Sequence, residues 1–88
     1  MTDRKVLITG ITGQDGIFLT SELLKHDKNL KIFGISRNKN KKFYENLIAV
    51  GVKNFSNVNI HNLDLTDLNS VKKYISDLQP TEIYNLSG

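Results

Sequence analysis

Four short apolar runs predict β-strands, and the stretches between them have the spacing of helices. The first two runs lie at Lys5–Thr9 and Lys31–Ser36, and the other two at Asn57–Leu63 and Glu82–Leu86. The first run is apolar at consecutive positions, which is typical of a parallel strand covered on both faces. The pattern therefore predicts a buried sheet of four strands.

Two helices are predicted in the first half of the chain. The first spans Asp15–His26, where leucines recur four residues apart and basic residues suit the negative end of the helix dipole. A polar loop is expected at Asn38–Lys42. A shorter helix is expected around Phe43–Val50, and Gly51 is suited to end it.

A third helix has the clearest periodicity in the chain. Its apolar positions fall on one face of a 3.6-residue repeat, and they are Leu68, Val71, Ile75 and Leu78. Thr66 or Asp67 can cap its first turn, and Pro80 ends it.

The resulting order βαβαβαβ predicts an α/β protein, since strands alternating with helices form right-handed crossovers and a parallel sheet. We expect a partial Rossmann-like doubly wound sheet with strand order 3-2-1-4 and helices on both faces. In that order the fourth strand is left as an exposed, rather apolar edge, which proteins usually avoid. We therefore expect residues 1–88 to be the N-terminal part of a longer dinucleotide-binding domain.

Three glycines at spacings of three lie where the first strand meets the first helix. Gly10 permits a sharp turn, Gly13 lets a diphosphate approach the backbone, and Gly16 allows the helix to pack closely on the strand. The helix N-terminus then faces the phosphates. A nucleotide-hydrolysing P-loop would need Gly-Lys-Ser/Thr here, whereas Ile17 and Phe18 follow Gly16. A tight turn without a ligand is the alternative reading.

The residues at the end of the second predicted strand favour NADP over NAD as the cofactor. A carboxylate ~20 residues past the glycines would hold the ribose hydroxyl of NAD, but the segment Ser36–Lys39 contains no acid. It contains Arg37, whose guanidinium can hold a 2′-phosphate through two hydrogen bonds. The alternative is that Arg37 is an ordinary surface arginine.

Charge and composition exclude several classes of function. The net charge is +3, but four of the twelve basic residues lie in the run RNKNKK, and the remaining eight face nine acids. This local cluster is either a solvated loop or a site for a small anion. Nucleic acid is a less favoured partner, and its binding would depend strongly on salt and on Lys39, Lys41 and Lys42. The chain has no cysteine, no metal-ligand spacing around His26 or His61, and no apolar run long enough for a membrane span. We expect a cytoplasmic protein with no metal site.

Four motifs resemble the N-terminal part of the GDP-mannose 4,6-dehydratase family, which belongs to the extended short-chain dehydrogenases/reductases. They are TGITGQDG (9–16), GISR (34–37), DLTD (64–67) and PTEIYNL (80–86). The first and last are the most specific. The similarity covers nearly the whole chain but only about the first quarter of a typical family member.

The resemblance assigns cofactor contacts. It implies that the loop wraps the pyrophosphate of NADP, that Arg37 meets the 2′-phosphate, and that Asp64 accepts a hydrogen bond from the adenine amino group. The implied cofactor-binding residues are Gly10, Ile11, Thr12, Gly13, Gln14, Asp15, Gly16, Arg37, Asp64, Leu65, Leu86, Ser87 and Gly88. From the residues alone, Asp64 is better read as a turn or helix-cap residue.

Two positions depart from the family pattern. Ser87-Gly88 stands where the family usually has Gly-Ala. Asn38 replaces a second arginine, which weakens the preference for NADP without reversing it.

The resemblance also implies a reaction on a GDP-sugar. In that reaction bound NADP takes hydride from the mannose ring, water is eliminated, and hydride returns to give GDP-4-keto-6-deoxy-mannose. The family relies on a Tyr-x-x-x-Lys pair, and no tyrosine of this chain has a lysine four residues later. We therefore expect no catalytic residue here and a catalytically silent fragment of an enzyme that is homo-oligomeric in full-length form. A related epimerase or reductase fragment and a stand-alone dinucleotide-binding module are the alternatives.

Overall fold

The first strand lies inside a parallel four-stranded sheet of order β3-β2-β1-β4. The computed structural model describes residues 4–37 and 41–87. The strands are β1 (Lys5–Thr9), β2 (Lys31–Ser36), β3 (Val58–Asn62) and β4 (Glu82–Asn85). Both neighbours of β1 run parallel to it, with Val6 opposite Ile32 on one side and Glu82 on the other. The predicted fold class and strand order are confirmed.

Three helices connect the strands in the described part of the chain. They are α1 (Gln14–His26), α2 (Lys41–Ala49) and α3 (Leu68–Leu78). The prediction that Lys41 and Lys42 belong to a polar loop was wrong, because both lie in the first turn of α2. The buried Phe43 and Leu47 fix one face of this helix, and the preceding turn continues it despite its charge. No helix in residues 4–37 and 41–87 is long and apolar enough to cross a membrane.

Helices cover both faces of the sheet. On one face, Val6 and Ile32 share a hydrophobic cluster with Ile17 of α1 and Leu47 of α2. Strand alternation places His61 of β3 on the opposite face, where its ring stacks on Tyr74 of α3 with centroids 4.6 Å apart. The sheet is therefore the middle layer of a three-layer fold.

Helix α3 begins as the sequence predicts but is buried less deeply. The Asp67 carboxylate caps its first turn by accepting a hydrogen bond from the Ser70 amide at 3.3 Å. Gln79 ends the helix in the left-handed conformation (φ 51°) just before Pro80. None of its residues is fully buried, and Leu68 is 65% exposed. The other three apolar positions of the predicted face are half-buried, so the predicted face is confirmed only in part. The depth of burial depends on what the sheet places beneath each position.

Strand β4 is an open edge within the described residues, since it pairs there only with β1. Ile83 at its centre is 53% exposed, in agreement with the exposed apolar edge expected from the sequence. A bidentate ion pair joins the beginning of β4 to the residue that precedes β1. Arg4 Nε donates to Glu82 Oε2 at 2.6 Å, and Nη2 donates to Oε1 at 2.9 Å.

The Arg4–Glu82 ion pair predicts a loss of stability in acid. The hydrogen bonds from Arg4 hold the pKa of Glu82 below its ordinary value of 4.5. A carboxylate with a lowered folded-state pKa stabilises the fold above its unfolded pKa, and this contribution disappears as pH falls through the folded value. The effect is modest, since the two side chains are 39% and 31% exposed.

We therefore expect Glu82→Gln to lower the unfolding midpoint in urea at pH 7, with the difference from the unmodified chain shrinking steadily below pH 4.5. Asp77→Asn is the matched control, because Asp77 pairs with Lys73 one helical turn away on an exposed face. A gap for Glu82→Gln that is the same at pH 7 and pH 3 would contradict the assignment.

Candidate dinucleotide-binding site

The chain makes a sharp turn as it leaves β1. Gly10 has φ +71°, a conformation that L side chains rarely adopt, and the Gly13 amide donates to the Gly10 carbonyl at 3.1 Å to close the turn. A Cβ at Gly10 would lie 2.8 Å from the carbonyl carbon of Leu86 and the amide nitrogen of Ser87. The predicted role of Gly10 in the turn is confirmed, and the residue also lets the segment after β4 pass against the loop.

Helix α1 begins directly after this turn with unpaired donors. Its N-cap is Gly13, which has no side chain to cap it, and the first helical hydrogen bond runs from the Ile17 amide to the Gly13 carbonyl at 3.0 Å. The amides of Gln14, Asp15 and Gly16 therefore have no acceptor among the described residues. Unpaired amides at the positive end of a helix dipole form an environment that favours an anion.

The surface above this helix start is open at Gly13. A Cβ there would meet only the Gly10 carbonyl oxygen, at 3.4 Å, and the residue is exposed. Gln14 and Asp15 are also exposed, while Thr12 is half-buried. A group that approached the three amides would meet backbone rather than side chains.

Gly16 packs on the turn rather than on the strand that the sequence suggested. A Cβ at this position would collide with the Ile11 carbonyl oxygen and lie 2.5 Å from its carbonyl carbon. Ile11 in turn is fully buried, with its side chain against Gly34 of β2. Of the predicted cofactor residues, Ile11 therefore has its side chain in the core and only its main chain at the loop.

A polar network that the sequence analysis missed joins the ends of β1 and β4. The Thr9 hydroxyl donates to Asn85 Oδ1 at 2.6 Å, and the Ser87 hydroxyl donates to the same oxygen at 2.8 Å. The Leu86 amide donates to the Thr9 carbonyl at 3.0 Å. Thr9 and Asn85 thus hold the strand ends on which the glycine turn rests. The polar residues near the ends of these two predicted strands could have indicated the network from the sequence.

The ends of β2 and β3 bring Arg37 and Asp64 together. Arg37 Nη1 lies 3.8 Å from Asp64 Oδ2, and both side chains are largely exposed. Asp64 Oδ1 accepts from the Thr66 amide at 2.9 Å and from the Thr66 hydroxyl at 2.7 Å. These hydrogen bonds, with a smaller contribution from Arg37, lower the pKa of Asp64. Asp64 is a turn residue, as the residues alone suggested, with one oxygen still directed at Arg37.

The remaining predicted site residues lie beside these two groups. Leu65 is half-buried next to Asp64, while Leu86 and Ser87 are exposed after β4. Gly88, Asn38 and Lys39 lie outside the described residues. Tyr84 is half-buried against the hydrophobic cluster, as expected of a packing residue. Within residues 4–37 and 41–87, no three His, Asp or Glu side chains cluster as metal ligands would.

All of these features lie at one edge of the sheet, because the carboxyl ends of parallel strands point the same way. Adjacent strands are ~4.8 Å apart, so the glycine turn, the tip of β4 and the Arg37–Asp64 pair span about 15 Å. Such a length suits an extended dinucleotide.

Comparison with known proteins agrees with this arrangement. The family model for GDP-mannose 4,6 dehydratase matches residues 7–88. The chain belongs to the GDP-mannose 4,6-dehydratase family. It is 44% identical over 91 aligned residues to the GDP-mannose 4,6 dehydratase of Cricetulus griseus, covering 97% of this chain and 24% of that protein. The enzyme of the same name from Vibrio cholerae is 36% identical, with 100% and 24% covered.

Solved structures of Rossmann-type proteins share the fold. The L-threonine dehydrogenase from Clostridium difficile superposes with a TM-score of 0.66 at 25% identity, covering 94% of this chain and 23% of that one. A crystal structure from Burkholderia cenocepacia J2315 gives a TM-score of 0.63 at 18% identity, with 94% and 24% covered. The chain spans about a quarter of the length of its GDP-mannose 4,6-dehydratase relatives.

Proposed function

We propose that this chain binds NADP at the carboxyl edge of its sheet and forms the N-terminal cofactor-binding part of a GDP-mannose 4,6-dehydratase. The observation that carries the proposal is the start of α1, where three unpaired amides face an opening that only glycine leaves clear. A diphosphate fits this position because it supplies acceptor oxygens and negative charge together.

The preference for NADP rests on the cations that follow β2 in the chain. Arg37 is exposed and lies beside Asp64, and Lys41 and Lys42 occupy the first turn of α2, which has no acid. Cations at the positive end of a helix are unfavourable unless an anion lies nearby. A 2′-phosphate at this point would be favoured by all three charges.

Asp64 and Arg37 can contact different parts of the adenosine 2′-phosphate moiety. One Asp64 oxygen is held by Thr66, and the other faces Arg37. That second oxygen is available to accept from an adenine amino group, while Arg37 donates to the phosphate. Leu65 would lie beside the adenine, and Leu86 and Ser87 would extend along the ribose toward the nicotinamide.

The reaction that we propose is that of the family. Bound NADP would supply the hydride chemistry on a GDP-sugar. The described residues hold and orient the cofactor, and none of the chain's tyrosines has a lysine four positions later. We expect these 88 residues alone to leave GDP-mannose unchanged, and we propose a homo-oligomer for a full-length family member. Turnover of GDP-mannose by the purified 88-residue chain would contradict this part of the proposal.

Arg37→Ala is expected to abolish discrimination between the two cofactors. The variant loses a charge-assisted pair to the 2′-phosphate, so NADP affinity falls by roughly tenfold while NAD affinity stays within about twofold. Calorimetric titration of both nucleotides against both proteins measures the ratio. Lys72→Ala, which removes an exposed cation from α3, is the control and keeps the original preference.

Equal affinities for NADP and NAD in the unmodified chain would remove the 2′-phosphate assignment. They would leave the diphosphate assignment at α1 in place, because the two depend on different residues.

A further inference from the structure

A basic cleft lies at the other end of the parallel strands from the glycine loop. Its volume is about 450 Å³, and it is formed by the last turns of α1, the turn that follows, and the connection between α2 and β3. At ~1.5 Å per residue, the last turn of helix α1 lies about 15 Å from the unpaired amides at Gln14–Gly16. The volume is in the range of small-molecule sites.

Positive charge dominates the lining of this cleft. Lys25, Lys28 and Lys53 all line it, and no acidic residue does. Lys25 pairs with Glu22 at 3.0 Å. Lys28 and Lys53 have no ion-pair partner among the described residues. The nearby Asp27 carboxylate accepts a hydrogen bond from the Asn29 amide at 3.0 Å. At least two cations are therefore left to face an added anion.

A buried hydroxyl lies in the wall of the same cleft. Ser21 is 5% exposed, lines the cleft, and has no side-chain hydrogen bond to any residue in 4–37 or 41–87. By contrast, its neighbour Thr20 donates to the Gly16 carbonyl at 2.7 Å, the usual solution for a helical hydroxyl. Burying a hydroxyl without a hydrogen-bond partner is unfavourable, so its presence here indicates a missing partner.

We propose that this cleft binds a small phosphate-bearing molecule. Phosphate oxygens accept from the ammonium groups of Lys28 and Lys53 and from the Ser21 hydroxyl, and Leu24 and Val52 provide an apolar wall for the organic part of the ligand. The amide side chains of Asn29, Asn54 and Asn57, which also line the cleft, add further donors. This site uses no residue of the dinucleotide site and does not depend on it.

Titration of the chain with inorganic pyrophosphate, followed by amide resonances in two-dimensional NMR, tests the proposal. Saturable shifts are expected at residues 21–29 and 51–57, and the resonances of residues 10–16 report the glycine loop separately. The double variant K28Q/K53Q is expected to weaken binding at the cleft by about tenfold. The control K31Q/K72Q changes the net charge by the same amount at exposed positions. It is expected to change the affinity of the cleft for pyrophosphate by less than twofold.

The variant Ser21→Ala distinguishes a role of the Ser21 hydroxyl in binding from a role in stability. Removing a buried hydroxyl that lacks a partner is expected to raise the thermal unfolding midpoint, while pyrophosphate binding at the cleft weakens by about threefold or more. The proposal is overturned if residues 21–29 and 51–57 show no saturable shifts. It is also overturned if K31Q/K72Q weakens their titration as much as K28Q/K53Q does.

Discussion

Replacing Gly16 with alanine is expected to destabilise the chain by at least about 3 kcal/mol, although alanine is the better helix former. Gly16 lies within α1, where helix propensity alone would make Gly→Ala stabilising by about 1 kcal/mol. The new Cβ would collide with the Ile11 carbonyl oxygen and lie 2.5 Å from its carbonyl carbon. All the nearest atoms are backbone, so no side chain can rotate away, and the packing effect outweighs the propensity.

Urea unfolding followed by circular dichroism measures this difference. A chain of 88 residues has a stability of about 4–13 kcal/mol, so the loss would leave the variant largely or marginally unfolded. Ser76→Ala, an exposed helical position in α3, is the control for propensity and is expected to be neutral or slightly stabilising. A Gly16→Ala chain as stable as the original would refute the close packing of α1 on the loop.

Gly13→Asp is expected to have opposite effects on folding and on binding. Gly13 has an extended backbone (φ −75°, ψ 174°) at the N-cap, where aspartate is among the preferred residues. Its carboxylate can accept from the unpaired amides of α1 and interact well with the helix dipole, so stability rises by about 0.5–1 kcal/mol. The same carboxylate occupies the position proposed for the diphosphate, so NADP affinity falls by roughly a hundredfold or more, about 2.7 kcal/mol.

Gly13→Asn is the matched control for charge. Asparagine is an equally good cap of the same shape, so its stability gain is similar, but it lacks the negative charge. NADP binding is therefore expected to be weaker than in the original chain and stronger than in Gly13→Asp. Unchanged NADP affinity in both variants, measured by calorimetric titration, would place the diphosphate elsewhere.

These variants test different parts of the proposed dinucleotide site. Gly16 reports on the packing that positions the start of α1, whereas Gly13 reports on access to its amides. Arg37 reports only on the 2′-phosphate, one strand further along the sheet edge. A chain that folds and binds NADP but fails the Arg37 test would still be a dinucleotide-binding protein, with its cofactor preference set by other residues.

Much of the fold follows from patterns within a few residues of one another. The bounds of β1 and β2 match the apolar runs that predict them, and Asp67 caps α3 where the sequence placed a cap. Hydrophobic periodicity and capping depend on neighbours within one or two turns, so sequence alone can reveal them. The spacing of the three glycines likewise predicts a turn followed by a helix, although only Gly10 has a backbone conformation (φ +71°) that other residues rarely adopt.

Local charge predicted secondary structure poorly where burial of neighbouring residues favoured a different structure. Lys41 and Lys42 look like loop residues, yet burial of Phe43 and Leu47 against the sheet extends α2 back to include them. Helix α3 shows the converse, since its apolar stripe is regular but Leu68 remains largely exposed. Burial depends on the surface that each face meets, which the stripe itself does not specify.

The order of strands and helices and the place of the glycine turn could be predicted from the amino-acid sequence, since both depend on local backbone preferences and periodicity. Three contacts became apparent only in the assembled fold: Gly16 packs on Ile11, Arg37 lies beside Asp64, and Thr9 donates a hydrogen bond to Asn85. The last two contacts join residues far apart in the chain. They exist because parallel strands bring their carboxyl ends to one edge, and that geometry arises only when the sheet assembles.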